Sequence, residues 1–179
     1  QMKYELNAEH LVKRFTAYAK INTASDERSA QLPSTEGQWQ LAEYLKNELT
    51  KLGLANVQVT DKCYVLAELP ANTEEAAPVI GLIAHMDTSS EASGENVQVT
   101  LHKVWDGSDM QLAPGCVLSV KEFPEMAAYR GQDILTAGGT TLLGADDKAG
   151  VAEILTAAEI LLAEGRPHGK LCIAFTPVS

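Results

Sequence analysis

Two short polar segments, each next to an apolar element, carry the residue types that could do chemistry. His85 and Asp87 follow the apolar run at residues 79–84, and Asp146 and Asp147 precede an apolar helical pattern. A neutral imidazole is a good zinc ligand, and a nearby carboxylate can accept its other ring N–H and orient the ring. A further carboxylate can bridge two divalent cations that share and acidify one water. Together the two segments predict a two-metal site, provided that the fold brings them together.

Each segment also has a purely structural interpretation. A His and an Asp two residues apart at the end of a strand can form a turn in which the His is hydrogen-bonded. Two adjacent carboxylates at the start of a helix can act as N-caps that the helix dipole favours. The residue types and their spacing alone leave both interpretations open.

Three amphipathic patterns predict helices. We expect Asn7 to cap the first helix, and Ser34 or Thr35 to begin a second helix that Gly53 ends. The third helix is predicted to begin around Lys148 and to end at Gly165. The residues expected to face the core are Leu11, Val12, Phe15, Tyr18 and Ala19 in the first helix, Leu41, Leu45, Leu49 and Leu52 in the second, and Val151, Ile154, Leu155, Ala158, Leu161 and Leu162 in the third.

The strand pattern places the chemistry at the end of a buried strand. Residues 56–60 and 63–69 predict a hairpin, and residues 21–33 predict a loop. Residues 79–84 are apolar without alternation, which is typical of a strand covered on both faces, and 170–176 predict another buried strand. We expect residues 88–144 to be a long excursion with one or two strands, at 97–104 and 134–135. The alternation of strands and helices predicts an α/β fold, in which ligands usually bind at the carboxyl ends of strands.

Composition excludes several classes of partner. The chain has 179 residues, 14 Lys and Arg against 24 Asp and Glu, and a formal net charge of −10. This excess of acid disfavours binding to nucleic acid or to an anionic membrane surface. We find no long apolar run and no secretory signal pattern, and the scattered residues Cys63, Cys116 and Cys172 predict reduced thiols in a cytoplasmic protein.

Other candidate motifs are weaker. The sequence has no Walker-type phosphate loop and no Gly-x-Ser-x-Gly nucleophile motif. We expect His10 and His102 to lie on the surface and His168 to have a structural role in a turn.

Several motifs together resemble one enzyme family. PSTEGQ at 33–38, HMDTS at 85–89, TLLGADDKAG at 141–150, PHG at 167–169 and AFTP at 174–177 follow the order and spacing of the peptidase T family. These enzymes are cytosolic aminotripeptidases among the dizinc M20 metallopeptidases. The resemblance extends over nearly the whole chain, and it favours the metal-site interpretation of both segments.

The resemblance implies a role for each candidate residue. His85 looks like the terminal ligand of one Zn²⁺, and Asp146 looks like the ligand that bridges two. Asp87, the predicted catalytic aspartate, looks like the carboxylate that orients His85. The family also implies a cis peptide bond between Asp146 and Asp147, a glutamate general base, and a tripeptide as substrate. The implied fold is that of the zinc exopeptidases, with helices packed on a mixed, largely parallel sheet.

The sequence departs from the family after Pro177. The family continues there with an acidic segment that holds the general-base Glu, whereas this chain has Val178 and Ser179. We therefore expect residues 1–179 to be the N-terminal portion of the catalytic domain, incomplete and inactive by itself, without the lid or dimerisation domain. Uncovered apolar edges would then favour self-association, so a homo-oligomer is a further expectation.

Two other functions remain open at this stage. Another M20 activity, such as a dipeptidase, a carboxypeptidase or an N-acyl amino-acid deacylase, would share His85, Asp87 and Asp146. The segment at 33–38 favours the tripeptidase. A noncatalytic binding or assembly module is the alternative from a different class.

Overall fold

The structure is a computed structural model that describes residues 2–178, with side chains described from residue 7 onward. The elements in chain order are α1 (Met2–Ala19), α2 (Glu36–Leu52), β1 (Ala55–Val59), β2 (Val65–Leu69), β3 (Ile80–His85), β4 (Thr100–His102), β5 (Met110–Ala113), β6 (Cys116–Leu118), the 3₁₀ helix Pro124–Tyr129, β7 (Ile134–Thr136), α3 (Ala145–Glu164) and β8 (Leu171–Thr176).

Four strands form the main sheet, in the order β1-β2-β8-β3. β1 pairs with β2, and β2 with β8, in antiparallel fashion, whereas β8 and β3 are parallel. The predicted α/β class, with helices on a mixed sheet, is confirmed. The expected predominance of parallel pairing does not appear among these four strands, because β1 and β2 form a hairpin whose second strand pairs directly with β8.

The core lies between the helices and one face of this sheet. α3 packs on β3, α2 packs on β1 and β2, and α1 packs on α3. Alternate strand residues point to the helices, so that Val65 and Ala67 of β2 and Ile173 and Phe175 of β8 are buried. This period of two is the ordinary pattern of a half-buried sheet.

The predicted start of the first helix is wrong. α1 already begins at Met2, so Asn7 lies inside the helix and does not cap it. Met, Lys, Glu and Leu in the preceding residues are good helix formers, which accounts for the extension. Phe15, Tyr18 and Ala19 are buried as predicted.

The other two helices begin and end close to the predicted residues. α2 has Thr35 as its N-cap and Gly53 as its left-handed C-cap, and Leu41, Leu45 and Leu49 are buried. In α3 the regular helical conformation follows Asp147, and Gly165 is the left-handed C-cap. Leu162 of α3 is 41% exposed, so its expected place in the core is wrong.

The strand at 79–84 exists, but the prediction that both its faces are covered is wrong. β3 is an edge strand of the sheet, and Ile83 is 70% exposed. Leu82 and Ala84 face the helices, whereas Gly81 and Ile83 face the other way. Among the described residues, nothing buries Ile83, although its apolar side chain is of the kind that packs against a second layer.

The excursion at 88–144 contains more structure than predicted. β4 pairs with β7, and β5 pairs with β6, so four strands replace the one or two expected. β5 and β6 are four and three residues long, which is too short for a periodic pattern to show in the sequence. Within residues 2–178, no helix is long and apolar enough to cross a membrane.

Candidate functional site

The candidate site lies at the carboxyl ends of the two parallel strands. His85 is the last residue of β3 and is in register with Thr176 of β8. The backbone N–H of Met86 donates to the carbonyl oxygen of Thr176 over 2.8 Å, so the pairing continues one residue beyond β3. The chain then turns out of the sheet with Asp87 at its edge, as the sequence pattern predicted.

The three predicted site residues meet at this edge. His85 Nδ1 lies 3.0 Å from the carbonyl oxygen of Asp87 and 3.1 Å from Asp87 Oδ1, and its Nε2 lies 2.9 Å from Asp146 Oδ1. The Asp87 side chain is 8% exposed, whereas the Asp146 side chain is 94% exposed. The imidazole therefore joins a buried carboxylate on one side to a carboxylate in open solvent on the other.

Oxygen acceptors face both ring nitrogens of His85, and they favour its protonated form. Burial lowers the pKa of His85, but hydrogen bonds to Asp146 and Asp87 and the charges of both carboxylates outweigh it. The net pKa is raised, because these neighbours stabilise the imidazolium.

The two adjacent aspartates make different contacts. Asp147 Oδ1 accepts a hydrogen bond from the backbone N–H of Gly150 over 3.2 Å, which is a capping contact at the start of the regular part of α3. Asp146 makes no such contact and points to His85 instead. The peptide bond between them is cis, as the family resemblance implied.

Glycines make this helix start sterically possible. Gly144 precedes it with a φ of 77°, in the left-handed region that favours glycine. A Cβ on Gly150 would lie 2.4 Å from Asp147 Oδ1. The small residues of the GADDKAG segment therefore allow Asp147 to cap the helix while Asp146 faces the cleft.

Sequence reasoning missed the contribution of the loop at 21–33. Ser25 Oγ donates to Asp87 Oδ2 over 2.6 Å, and Thr23 Oγ1 donates to the carbonyl oxygen of Met86 over 2.7 Å. Backbone hydrogen bonds between Ser25 and Thr88 and between Thr88 and Thr23 hold the loop against the strand end. The loop was identified correctly as irregular, but its partner lies about sixty residues away, where local patterns give no signal.

The PSTEGQ segment holds this loop from the other side. Gln38 is buried; its Oε1 accepts from the backbone N–H of Ser34 over 3.0 Å, and its Nε2 donates to Ser34 Oγ and to the carbonyl oxygen of Thr23. Thr35 Oγ1 donates to the carbonyl oxygen of Ala24 over 3.0 Å. The PSTEGQ segment, which carries part of the family resemblance, therefore also has a structural role.

Lys148 is a second residue whose role the sequence did not reveal. Its side chain is buried, and Nζ donates to the carbonyl oxygen of Ile21 over 2.7 Å. Burial lowers the pKa of Lys148 to about 8. The contact ties the start of α3, which carries Asp146, to the loop that carries Ser25.

An open cleft of about 770 Å³ borders the site. Its lining includes His85, Asp87 and Asp146 together with Ser25, Glu27 and Ser90. The other histidines lie elsewhere: His10 pairs with Glu159, His102 with Thr136, and His168 Nδ1 contacts the carbonyl oxygen of Gly169. The expected structural role of His168 in its turn agrees with this contact.

The donor set of the site fits part of a zinc centre. His85 Nε2 and Asp146 Oδ1 present one nitrogen and one carboxylate oxygen to the cleft, and both are donor types that Zn²⁺ takes. The Nδ1 contact with Asp87 is the outer hydrogen bond typical of a zinc-ligating histidine. In the part of the chain that the structure describes, no group of three or more His, Cys, Asp or Glu side chains could hold a metal ion.

Two solved structures have a similar fold over most of this chain. A tripeptidase from Staphylococcus aureus superposes with a TM-score of 0.61 at 21% identity, over 93% of this chain and 35% of that protein. The aminopeptidase PepT from Bacillus cereus gives a TM-score of 0.62 at 22% identity, with the same coverage. At these identities the likeness defines the fold class alone.

Sequence relatives are more specific. Peptidase T from Geobacillus kaustophilus is 50% identical over 172 residues, and Peptidase T from Shouchella clausii is 48% identical over 170 residues. Each match covers 94% of this chain, but the chain spans only 42% and 41% of those relatives. No protein-family profile matches the chain. The chain is thus homologous to part of Peptidase T, which confirms the resemblance that the motifs indicated.

Proposed function

We propose that this chain carries the first part of the active site of a zinc-dependent aminotripeptidase, which releases the N-terminal residue from tripeptides. The observation that carries the proposal is the convergence of His85 and Asp146 over 2.9 Å at the carboxyl edge of the sheet. Relatives named Peptidase T at 48–50% identity support the substrate class. They favour it over the other M20 activities that would use the same three residues.

Each of the three residues has a role in this proposal. His85 would be the terminal ligand of one Zn²⁺, and Asp146 would be shared between two. When bound, the ions supply Lewis acidity, which lowers the pKa of a water and polarises the scissile carbonyl. Asp87 accepts the hydrogen bond from His85 Nδ1 and so keeps Nε2 directed at the cleft.

We also propose that residues 1–179 are the N-terminal portion of the catalytic domain. The rest of that domain, the lid and the general-base Glu would belong to the 58% of the relatives' length that this chain does not span. Two donor side chains cannot complete the shells of two zinc ions, which take four or five ligands each. The 179-residue chain by itself would then be inactive. We further propose a cytoplasmic location, in keeping with the free thiols of Cys63, Cys116 and Cys172.

The test uses the protein encoded by the complete reading frame that contains this chain. We expect it to bind two Zn²⁺ by equilibrium dialysis and to cleave a tripeptide with a free amino terminus, but not the same peptide with a blocked one. His85→Ala and Asp146→Asn are expected to lower kcat/KM at least about 1,000-fold, because each removes a metal ligand. His168→Ala is the matched control and should retain activity.

Two results would overturn the proposal. One is full activity of His85→Ala or Asp146→Asn in the complete protein, and the other is turnover of tripeptide by the isolated chain with added zinc. Equal cleavage of blocked and free peptides would instead assign another peptidase or deacylase activity.

A further inference from the structure

We infer that Ser25 is a positioning residue of this site: its hydroxyl orients Asp87, and through Asp87 it fixes the ring of His85. The inference rests on the proposed function for its catalytic meaning. Its geometric basis is a series of three contacts. Ser25 Oγ lies 2.6 Å from Asp87 Oδ2, and Asp87 Oδ1 lies 3.1 Å from His85 Nδ1. On the other side of the ring, His85 Nε2 lies 2.9 Å from Asp146 Oδ1.

The direction of the first contact follows from the groups themselves. A carboxylate only accepts hydrogen bonds, so the Ser25 hydroxyl must donate. A hydrogen bond from a hydroxyl to a carboxylate is normally 2.5–2.7 Å long and about twice as strong as a neutral one. The observed 2.6 Å lies in this range, and Asp87 is nearly buried, so water does not compete well for the same oxygen.

The contact decides which oxygen of Asp87 faces His85. With Oδ2 held by Ser25, Oδ1 is left for His85 Nδ1, and the carboxylate cannot rotate without losing both partners. Oδ1 joins the Asp87 carbonyl oxygen, which lies 3.0 Å from the same nitrogen, as an acceptor at Nδ1. Acceptors there keep the proton on Nδ1 and leave the Nε2 lone pair for a ligand in the cleft. Without the Ser25 hydroxyl, Asp87 keeps its charge but gains rotational freedom.

Ser25 is itself held by backbone contacts on both sides. Its N–H donates to the carbonyl oxygen of Thr88 over 3.0 Å, and Ala24 forms a parallel bridge with Thr88. Thr35 Oγ1 donates to the carbonyl oxygen of Ala24, and the N–H of Asp26 donates to Ser34 Oγ over 3.1 Å. The PSTEGQ segment therefore positions the backbone on either side of Ser25, and Ser25 connects that segment to the catalytic edge of the sheet.

The test compares Ser25→Ala with Ser25→Thr, which keeps a donor, and Ser25→Cys, which keeps the size but donates weakly. Ser108→Ala is the matched control, since Ser108 Oγ also donates to an aspartate over 2.6 Å, to Asp106 Oδ1, but in the loop before β5. The first readout is the tautomer of His85 in the 179-residue chain, measured by long-range ¹H–¹⁵N NMR without metal at a pH where the imidazole is neutral. The second is the Zn²⁺ dissociation constant and the tripeptidase kcat and KM of the complete protein.

We expect Ser25→Ala and Ser25→Cys to lower the share of the Nδ1–H tautomer of His85. In the complete protein we expect them to weaken Zn²⁺ binding or lower kcat about 10- to 100-fold, the usual effect of removing an outer hydrogen bond at a metal site. KM should stay within about twofold, and Ser25→Thr should recover most of both losses. Ser108→Ala should match the wild type in every readout.

The inference is overturned if Ser25→Ala and Ser25→Cys, with wild-type circular dichroism, leave the His85 tautomer unchanged. It is also overturned if Ser25→Thr loses as much as Ser25→Ala while folding normally. The tautomer measurement involves no metal or substrate. A complete protein that fails to cleave tripeptides would therefore refute the proposed function while the tautomer shift still tests the role of Ser25.

Discussion

Asp146 and Asp147 are neighbours in the chain, yet backbone geometry gives them different roles. Asp147 accepts a hydrogen bond from Gly150 at the start of the regular helix, and Asp146 faces His85 across the cleft. A pair of carboxylates in a sequence is therefore not a pair of equivalent candidates. The capping residue is the one whose oxygen reaches an N–H three residues on, and the other is free to face a ligand.

Gly37 of the PSTEGQ segment lies where the fold leaves no room for a side chain. A Cβ at this position would lie 1.6 Å from the carbonyl oxygen of Asn22, which is part of the backbone and cannot rotate away. We expect Gly37→Ala to lower the free energy of unfolding by about 3 kcal/mol, the upper part of the usual range for overpacking. Helix propensity alone would favour alanine in α2, so the sign of the effect identifies the clash.

Urea unfolding at 25 °C measures this effect, and Gly81→Ala is the control. Gly81 lies in β3, where a Cβ would meet no atom within 4 Å, so we expect a change of less than about 0.5 kcal/mol. Equal stabilities of the two variants would contradict the close approach of Gly37 to Asn22. Because Asn22 belongs to the loop at 21–33, which holds Asp87 through Ser25, Gly37→Ala should also disturb the site.

At the scale of elements, the parts that local chemistry specifies were predictable. α2 begins after Thr35, which caps its amino end, and ends at Gly53, which adopts the left-handed conformation at its carboxyl end. The hairpin of β1 and β2 follows from alternation and a polar turn. The prediction that Asn7 caps α1 was wrong because capping preference is only one influence on where a helix begins. The good helix formers before Asn7 extend the helix to Met2.

The parts that depend on distant partners were not predictable. Ser25 gave no local signal, since its role comes from Asp87, sixty-two residues along the chain. Ile83 belongs to a run typical of a doubly covered strand, yet it is exposed here. A hydrophobic side chain is suited to burial, but the arrangement of helices and strands decides whether another element covers it. The candidate site was predictable where a family motif carried it, at His85, Asp87 and Asp146.

The packing of α1 on α3 depends on an ionic contact that gives stability a defined pH dependence. Arg14 and His10 of α1 face Glu159 of α3, and Arg14 also contacts Glu48 of α2. Burial raises the pKa of Glu159, but hydrogen bonds from Arg14 and His10 lower it by more, so the net pKa is below the ordinary 4.5. Its contribution to stability is therefore present above about pH 4.5 and is lost as the pH falls through the lowered folded pKa.

Glu159→Gln removes this contribution. We expect a loss of about 1.5 kcal/mol at pH 7, the lower end of the range for hydrogen bonds to charged groups, because the Glu159 side chain is partly exposed. The two proteins should converge in stability as the pH falls toward 3. Urea unfolding at several pH values measures the difference. Glu153→Gln changes an exposed residue of the same helix and should shift the stability by less than about 0.5 kcal/mol at every pH. A constant difference across the range would show that the charge of Glu159 is not responsible.

At the scale of the whole molecule, the two faces of the main sheet differ. One face packs against the helices, whereas the other presents Gly81 and Ile83 of β3 beside Cys172 and Ala174 of β8. Val79, which precedes β3, is 64% exposed. An edge strand with exposed apolar side chains and a free hydrogen-bonding edge is a favoured surface for pairing with another copy.

We therefore expect the 179-residue chain to self-associate through β3 and the open face of the sheet. Ile83→Thr should shift the population toward monomer by at least about tenfold in the association constant, because it removes the most exposed apolar side chain of β3, and apolar burial contributes roughly 25 cal/mol per Å². Sedimentation velocity over a range of concentrations measures the shift. Val117→Thr is the matched control, since Val117 is also an exposed strand residue but lies on β6 in a separate hairpin. If both variants shift the equilibrium equally, or if the wild type stays monomeric at high concentration, the open face is not an association surface.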